Sequence, residues 1–209
     1  MSSFEEHPLT SSTVMQVEGY GIGTMNEALN KTNAHSDNIS NSANANENSP
    51  HILSDTWILW AHLPHDTDWS IKSYTKIFEF HTLEQAVTIT EMLPPKLIVN
   101  CMLFLMRKGI NPIWEDERNR NGGCFSYKII NKDVPGAWKQ MSYLLVGETM
   151  SDNINIISHI NGITISPKKN FCIIKVWLAN CSFQDAAVIR EVHGITSHGC
   201  LFKRHVPEY

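Results

Sequence analysis

No stretch of this sequence approaches the roughly 18 to 20 consecutive apolar residues needed to cross a bilayer. Its opening segment, MSSFEEHPLTSSTVM, holds neither a basic stretch nor an apolar core of the secretory kind. A soluble cytoplasmic protein with no membrane contact is therefore expected. Disulfide chemistry is poorly supported too. The five cysteines (Cys101, Cys124, Cys172, Cys181, Cys200) are odd in number and nowhere spaced as Cys-x-x-Cys, which fits reduced thiols. Also missing are a Gly-x-Ser-x-Gly elbow, a His-Glu-x-x-His helix and a Walker lysine loop, so no catalytic residue and no cofactor is assigned. The grouping His193, His198, Cys200 and His205 matches no standard finger spacing, and no metal is expected there.

What is present is unevenly spread. The 209 residues carry 17 Lys+Arg against 21 Asp+Glu. Residues 1–50 hold one basic residue, Lys31, and six acidic ones, Glu5, Glu6, Glu18, Glu27, Asp37 and Glu47. The remainder is therefore close to neutral, and it holds all six tryptophans. The Asn/Ser/Ala-rich stretch 26–50 has almost nothing to bury and cannot offset the entropy of ordering its backbone. Residues 1–50 read as a flexible acidic tail, and residues 51–209 as one domain large enough for a real core.

Within that domain, aromatic and β-branched runs predict strands over 57–62 and 74–80. Thr82 and Gln85 form a capping box that opens a helix running to about Glu91, stopped by Pro94 and Pro95. Further strands are expected over 102–106, 124–130 after the Gly122-Gly123 turn, 154–166, 171–178 and 200–206. A second helix is predicted over 136–146. A third is expected from Ser182, with Asp185 in its first turn, to Gly194. The order implies an α+β fold, a mainly antiparallel sheet with three helices on one face and the other face free for a ligand.

Two tryptophans sit where core packing explains them poorly. Trp114 lies in a Gly/Pro-bounded loop beside Glu115, Asp116 and Glu117, and Trp69 lies in the polar loop 64–70. A single loop tryptophan is ordinarily a core plug. Two can sandwich a flat cationic ring, and an adjoining carboxylate can accept two N–H donors from the edge of such a base.

Those residues, with His51, Trp57 and Trp60, Phe80 to Glu84, Gly109 to Glu117, Gly122-Gly123, Leu145 to Glu148, and Lys175 to Trp177, give the domain a resemblance to the translation initiation factor 4E family. These proteins bind the 7-methylguanosine cap of messenger RNA. The resemblance implies a curved sheet with helices on its convex face and the cap on its concave face. It implies that Trp69 and Trp114 stack on the methylated base, that Glu115 accepts from it, and that Trp177 touches the methyl group. Trp57, Trp60 and Trp138 match positions that pack. The implied partner is capped messenger RNA, bound by a monomer.

The sequence departs from that family in two places. Of the basic residues that grip the cap phosphates only Lys168 is kept as a charge. Cys124 and Ile173 stand where an arginine and a lysine are expected. Alternation along the strand places Ile173, Lys175 and Trp177 on one face, so Lys175 is the candidate substitute. A weakened grip would make affinity depend less on phosphate number and on salt. On the helix side, the surface that takes a scaffold of the initiation factor 4G type keeps His51 and Leu83. It has Val87 where the family has a tryptophan, and Lys139-Gln140 where it has Leu-Glu. The chain also ends at Tyr209, short of the family's final loop and strand, so contacts to a second nucleotide are not expected. Three readings follow: a cap-binding initiation factor, a cap-binding repressor or sequestering protein that does not engage the scaffold, and an interaction module that has lost the cap. Retention of Trp69, Trp114 and Glu115 argues against the last.

Overall fold

The computed structural model describes residues 49–64 and 66–207. The expected tail therefore lies outside the described residues except for its last two positions. Seven strands form one open, curved sheet. They are β1 (Ile52–His62), β2 (Tyr74–Thr82), β3 (Met102–Arg107), β4 (Gly123–Ile130), β5 (Ile160–Pro167), β6 (Phe171–Leu178) and β7 (Leu201–Arg204). Their spatial order is β2-β1-β3-β5-β6-β4-β7, and every neighbouring pair is antiparallel. The α+β architecture read from the sequence is the one observed.

Alternation along the strands divides the sheet into two chemically different faces. On β1, Trp57, Leu59 and Ala61 join the main core, while Trp60 packs on the other side. On β6, Cys172, Ile174, Val176 and Leu178 are sealed in the core, and Ile173, Lys175 and Trp177 point the opposite way. Helices cover the first face. Helix α1 (Leu83–Met92) opens on the predicted capping box: the Gln85 N–H donates to Thr82 Oγ1, and Gln85 Oε1 accepts from the Thr82 N–H. Helix α3 (Val134–Val146) buries Trp138, Met141 and Leu145, with Pro135 in its first turn, where its missing N–H costs nothing.

Four α-helices are present among the described residues where three were expected. Pro94 and Pro95 end α1, but Pro95 also starts α2 (Pro95–Asn100), because its fixed φ suits a first helical residue. Ile154 does not begin a strand. The Asn153 side chain accepts from the Asn155 N–H and starts the single turn α4 (Ile154–Ile157), so β5 begins at Ile160. The helix expected after Ser182 is not formed. Asp185 accepts from the Ala187 N–H two residues on, which closes a 3-10 turn (Ala186–Val188) rather than an α-helix. Beyond it Val192 and Ile195 bridge around Gly194, whose φ of +80° belongs to a tight turn and not to a helix cap.

Arg107 fastens the ends of these layers. Its guanidinium donates to Asp55 at 2.7 Å, to Glu148 at 2.9 Å and to the Ile160 carbonyl at 2.8 Å, and lies 4.7 Å from the Trp57 ring centre. Glu148 takes a left-handed φ of +52° to reach it. That explains the Leu145 to Glu148 block as structural. Near the centre of the bare face, a Cβ at Gly162 would stand 2.3 Å from the Leu105 carbonyl oxygen, so the close strand approach beside Met106 and Trp177 requires glycine.

Candidate functional site

The face left bare by the helices carries a second, smaller apolar cluster of Phe104, Met106, Ile110 and Trp177, with Trp60, Tyr74, Met102 and Trp114 packed against it. Of the three tryptophans expected to pack, Trp57 and Trp138 are sealed in the main core, and Trp60 belongs instead to this bare face. Rings run across it in an unbroken series. Trp69 stacks on His62 (centroids 4.3 Å apart, planes 2° apart). His62 meets the edge of Tyr74, and Tyr74 that of Phe104. Phe104 meets Trp177, Trp177 lies 4.8 Å from His205, and His205 stacks on Trp114 at 5.5 Å. The two loop tryptophans stand at the two ends of that series.

The ends are built differently. Trp69 is 56% exposed and rides on a loop shaped by short-range bonds: Asp66 Oδ1 accepts from the Asp68 N–H, and Asp68 accepts from the Ser70 N–H and hydroxyl. Those Ser70 donors hold the Asp68 carboxyl below its ordinary range. His62, buried on β1, supports the loop through Nε2, 2.8 Å from the Asp68 carbonyl oxygen. Trp114 is half-buried, and its loop is pinned from inside. Fully buried Asn119 donates to the carbonyls of Asn111 (2.8 Å) and Ile113 (2.9 Å), and its own oxygen accepts from buried Asn161 on β5 (2.9 Å). Asp116 accepts from the N–H groups of Asn111 and Arg118.

Electrostatics tie the ends together. Burial first, then the carboxylates of Glu115 and Asp68, push the Tyr74 hydroxyl up to about 12, so both loops bring negative charge toward one phenol. His205 is 6% exposed. Its Nδ1 lies 2.7 Å from the Asn119 carbonyl oxygen, which can only accept, so Nδ1 carries the hydrogen and Nε2 presents a lone pair that has no partner among the described residues. Burial lowers its pKa, opposed by the Asn119 contact. The Nε1 groups of Trp60 and Trp177 and the hydroxyl of Thr164 are likewise buried on this face without partners among the described residues. Such groups cost free energy unless a polar partner meets them.

The sequence-derived residues fall into two places. Trp114, Trp177 and Lys175 converge around His205, with the Lys175 Nζ 5.9 Å from the Trp114 ring centre. Glu115 is exposed on the same loop. Lys168 is exposed in the β5–β6 turn, near enough to Lys175 to disfavour its charge, although burial is the larger cause. On the opposite side, Leu83 and Val87 are 43% and 40% exposed one turn apart on α1. His51 bonds Glu84 at 2.7 Å, Lys139 and Tyr143 both bond Glu91, and Gln140 is exposed. The sequence reading missed His62, Tyr74, Asn119 and Lys203 as parts of the site. His205 was visible only as a member of an ill-spaced histidine-cysteine group. The structure separates that group: His193 is exposed near Asp133, and His205 is enclosed by indoles.

Comparison with known proteins picks out the same domain. The family model described as eukaryotic initiation factor 4E matches residues 52–198. Over 144 residues the chain is 31% identical to eukaryotic translation initiation factor 4E-2 of Schizosaccharomyces pombe, covering 65% of this chain and 56% of that protein. Over 63 residues it is 47% identical to the initiation factor 4E homolog of Acanthamoeba polyphaga mimivirus, covering 30% of this chain and 23% of that one. The chain thus spans less than two thirds of the length of either relative. Among solved structures it is similar to a schistosome initiation factor 4E complexed with m7GpppG and 4E-BP. That match has 26% identity and a TM-score of 0.57, over 64% of this chain and 74% of the other. An Ascaris suum protein at 23% identity and a TM-score of 0.56, covering 64% and 76%, shares the fold.

Proposed function

This chain belongs to the eukaryotic initiation factor 4E family, and from that premise we propose that it binds the 7-methylguanosine 5′ cap of messenger RNA. Residues 51–209 are the binding unit, and Trp69 and Trp114 take the methylated base between them. Methylation at N7 makes guanine cationic, and cation–π attraction of about 0.5 to 2 kcal/mol per ring favours it over plain guanine. Glu115 accepts from the N1 and N2 groups in charge-assisted hydrogen bonds. Trp177 meets the methyl group, and Lys168 and Lys175 meet the phosphates. The protein acts by binding alone, in translation initiation in the cytoplasm, with capped messenger RNA and a scaffold of the initiation factor 4G type as partners.

The observation that carries this reading is the unbroken series of rings joining Trp69 to Trp114 across the bare face, with Glu115 at one end of it. The schistosome relative, solved with m7GpppG, supports the same ligand class. Titration of intrinsic tryptophan fluorescence with 7-methyl-GTP and with GTP tests it. Quenching at much lower concentration by the methylated nucleotide, lost in Trp114→Ala, is the expected result, and equal quenching by both would sink the reading.

One observation favours a cap-binding repressor that does not engage the usual scaffold. The exposed large apolar side chains of α1 are Leu83, Val87 and Met92, none of them aromatic, and Lys139 on α3 is tied to Glu91. An indole anchor commonly contributes 2 kcal/mol or more to such an interface. A pull-down with a helical Tyr-x-x-x-x-Leu scaffold peptide decides. Capture supports the initiation role, and failure of a folded, cap-binding protein to capture it supports the repressor.

A further inference from the structure

The register of β4 with both its neighbours places an unexpected cation in the site. Cys124 pairs with Trp177 on β6 and with Lys203 on β7, so all three share the bare face. Two residues along β4, Ser126 pairs with Lys175, which adds that lysine to the same face. The two ammonium groups converge on one indole, Lys175 Nζ at 5.9 Å and Lys203 Nζ at 5.7 Å from the Trp114 ring centre. Neither is paired with a carboxylate among the described residues, whereas Lys76, Lys108 and Lys139 are. Between the two lysines lies Cys124, buried to 1% exposure and kept as a neutral thiol by that burial.

Two like charges this close to one ring repel, and one of them is partly withdrawn from water. Lys175 is held below the ordinary lysine value first by burial, and further by Lys168 and Lys203. The groups facing it are thus two more lysines, a neutral thiol and the neutral imidazole of His205, on which the charge of Glu115 also acts. A cluster of this kind carries an energetic cost that a multiply charged anion removes.

We propose that Lys203 and Lys175 form a two-pronged clamp for a polyphosphate chain at the rim of Trp114, with Lys203 supplying from the edge strand β7 the charge that position 124 of β4 lacks. The clamp rests on the reading that a nucleotide base occupies the Trp114 wall, since it holds the part of the same ligand that leaves that wall. It restores the dependence on phosphate number that the loss of basic residues at 124 and 173 would otherwise remove. Lys203 is exposed on a short edge strand, so its replacement does not threaten the core.

The test measures binding of 7-methylguanosine, its monophosphate and its triphosphate to the full chain by tryptophan quenching, and binding of inorganic tripolyphosphate by calorimetry. Lys203→Gln and Lys175→Gln are compared with Lys96→Gln on α2 as control. Lys203→Gln should weaken the triphosphate about five- to tenfold more than it alters nucleoside binding, and make the salt dependence shallower by about one ion. Wild-type affinity for triphosphate in Lys203→Gln, or an equal loss in Lys96→Gln, overturns the clamp. Lys203-dependent binding of tripolyphosphate without any quenching by 7-methylguanosine would keep the clamp and discard the base-stacking reading. Base binding without preference for phosphates would do the reverse.

Discussion

The Trp69 loop and the Trp114 loop offer the same side chain to the same face of the sheet, and they hold it by different means. The Trp69 loop is fastened by exposed bonds between residues two apart in sequence, plus one bond from His62. The Trp114 loop is fastened by buried amides: Asn119 and Asn161 lie 42 residues apart, and His205 reaches Asn119 from 86 residues away. Exposed bonds compete with water and contribute little each, whereas buried ones are costly to break. The Trp114 wall is therefore preformed, and the Trp69 wall is the cheaper one to move. On the proposed reading, the base meets one fixed and one adjustable indole.

Removing the buried pins should erase that difference. Asn119→Ala removes the side-chain donor from the carbonyls of Asn111 and Ile113 and one of the two acceptors of the Asn161 amide, which keeps its bond to the Arg118 carbonyl, a loss of about 2 to 4 kcal/mol in folding stability. Denaturant unfolding checks the stability, and ligand quenching on the folded variant should show weaker binding. A variant as stable as wild type would mean that the loop is not pinned from inside.

Acid should loosen the same wall more gently. Because His205 has a folded-state pKa below the ordinary imidazole value of 6.5, the unfolded chain binds more protons than the folded one in that interval. The stability it contributes is present above 6.5 and falls as pH drops from there toward the depressed value. His205→Phe, which keeps a ring against Trp114 and removes the titration, should flatten that decline in unfolding midpoints measured from pH 7.5 to 5. An unchanged slope would contradict the burial argument.

What could be read in the sequence was what is local. The capping box at Thr82 and Gln85 formed as written, because both partners lie within one turn. Strand alternation put Lys175 and Trp177 on a common face, because a period of two survives any register. The segment after Ser182 misled because Asp185 can satisfy the backbone two residues on as readily as it can start a helix. Asn119, His205 and Lys203 were illegible as site residues for a different reason. Their roles depend on which strands become neighbours: β4 lies between β6 and β7, and there Cys124 meets Trp177 from 53 residues onward and Lys203 from 79. Only the pairing of Cys124 with Lys203 turns a lysine in an unremarked strand into part of the site.

The central claim is that two indoles, one fixed and one adjustable, read a cationic base. Its most direct test is quenching of tryptophan fluorescence by 7-methyl-GTP against GTP, in wild type and in Trp69→Ala and Trp114→Ala. The account predicts a large preference for the methylated nucleotide in wild type, about tenfold or more from the cation–π difference over two rings, and loss of that preference in either variant. Equal affinity for the two nucleotides, or a preference that survives both substitutions, would contradict it.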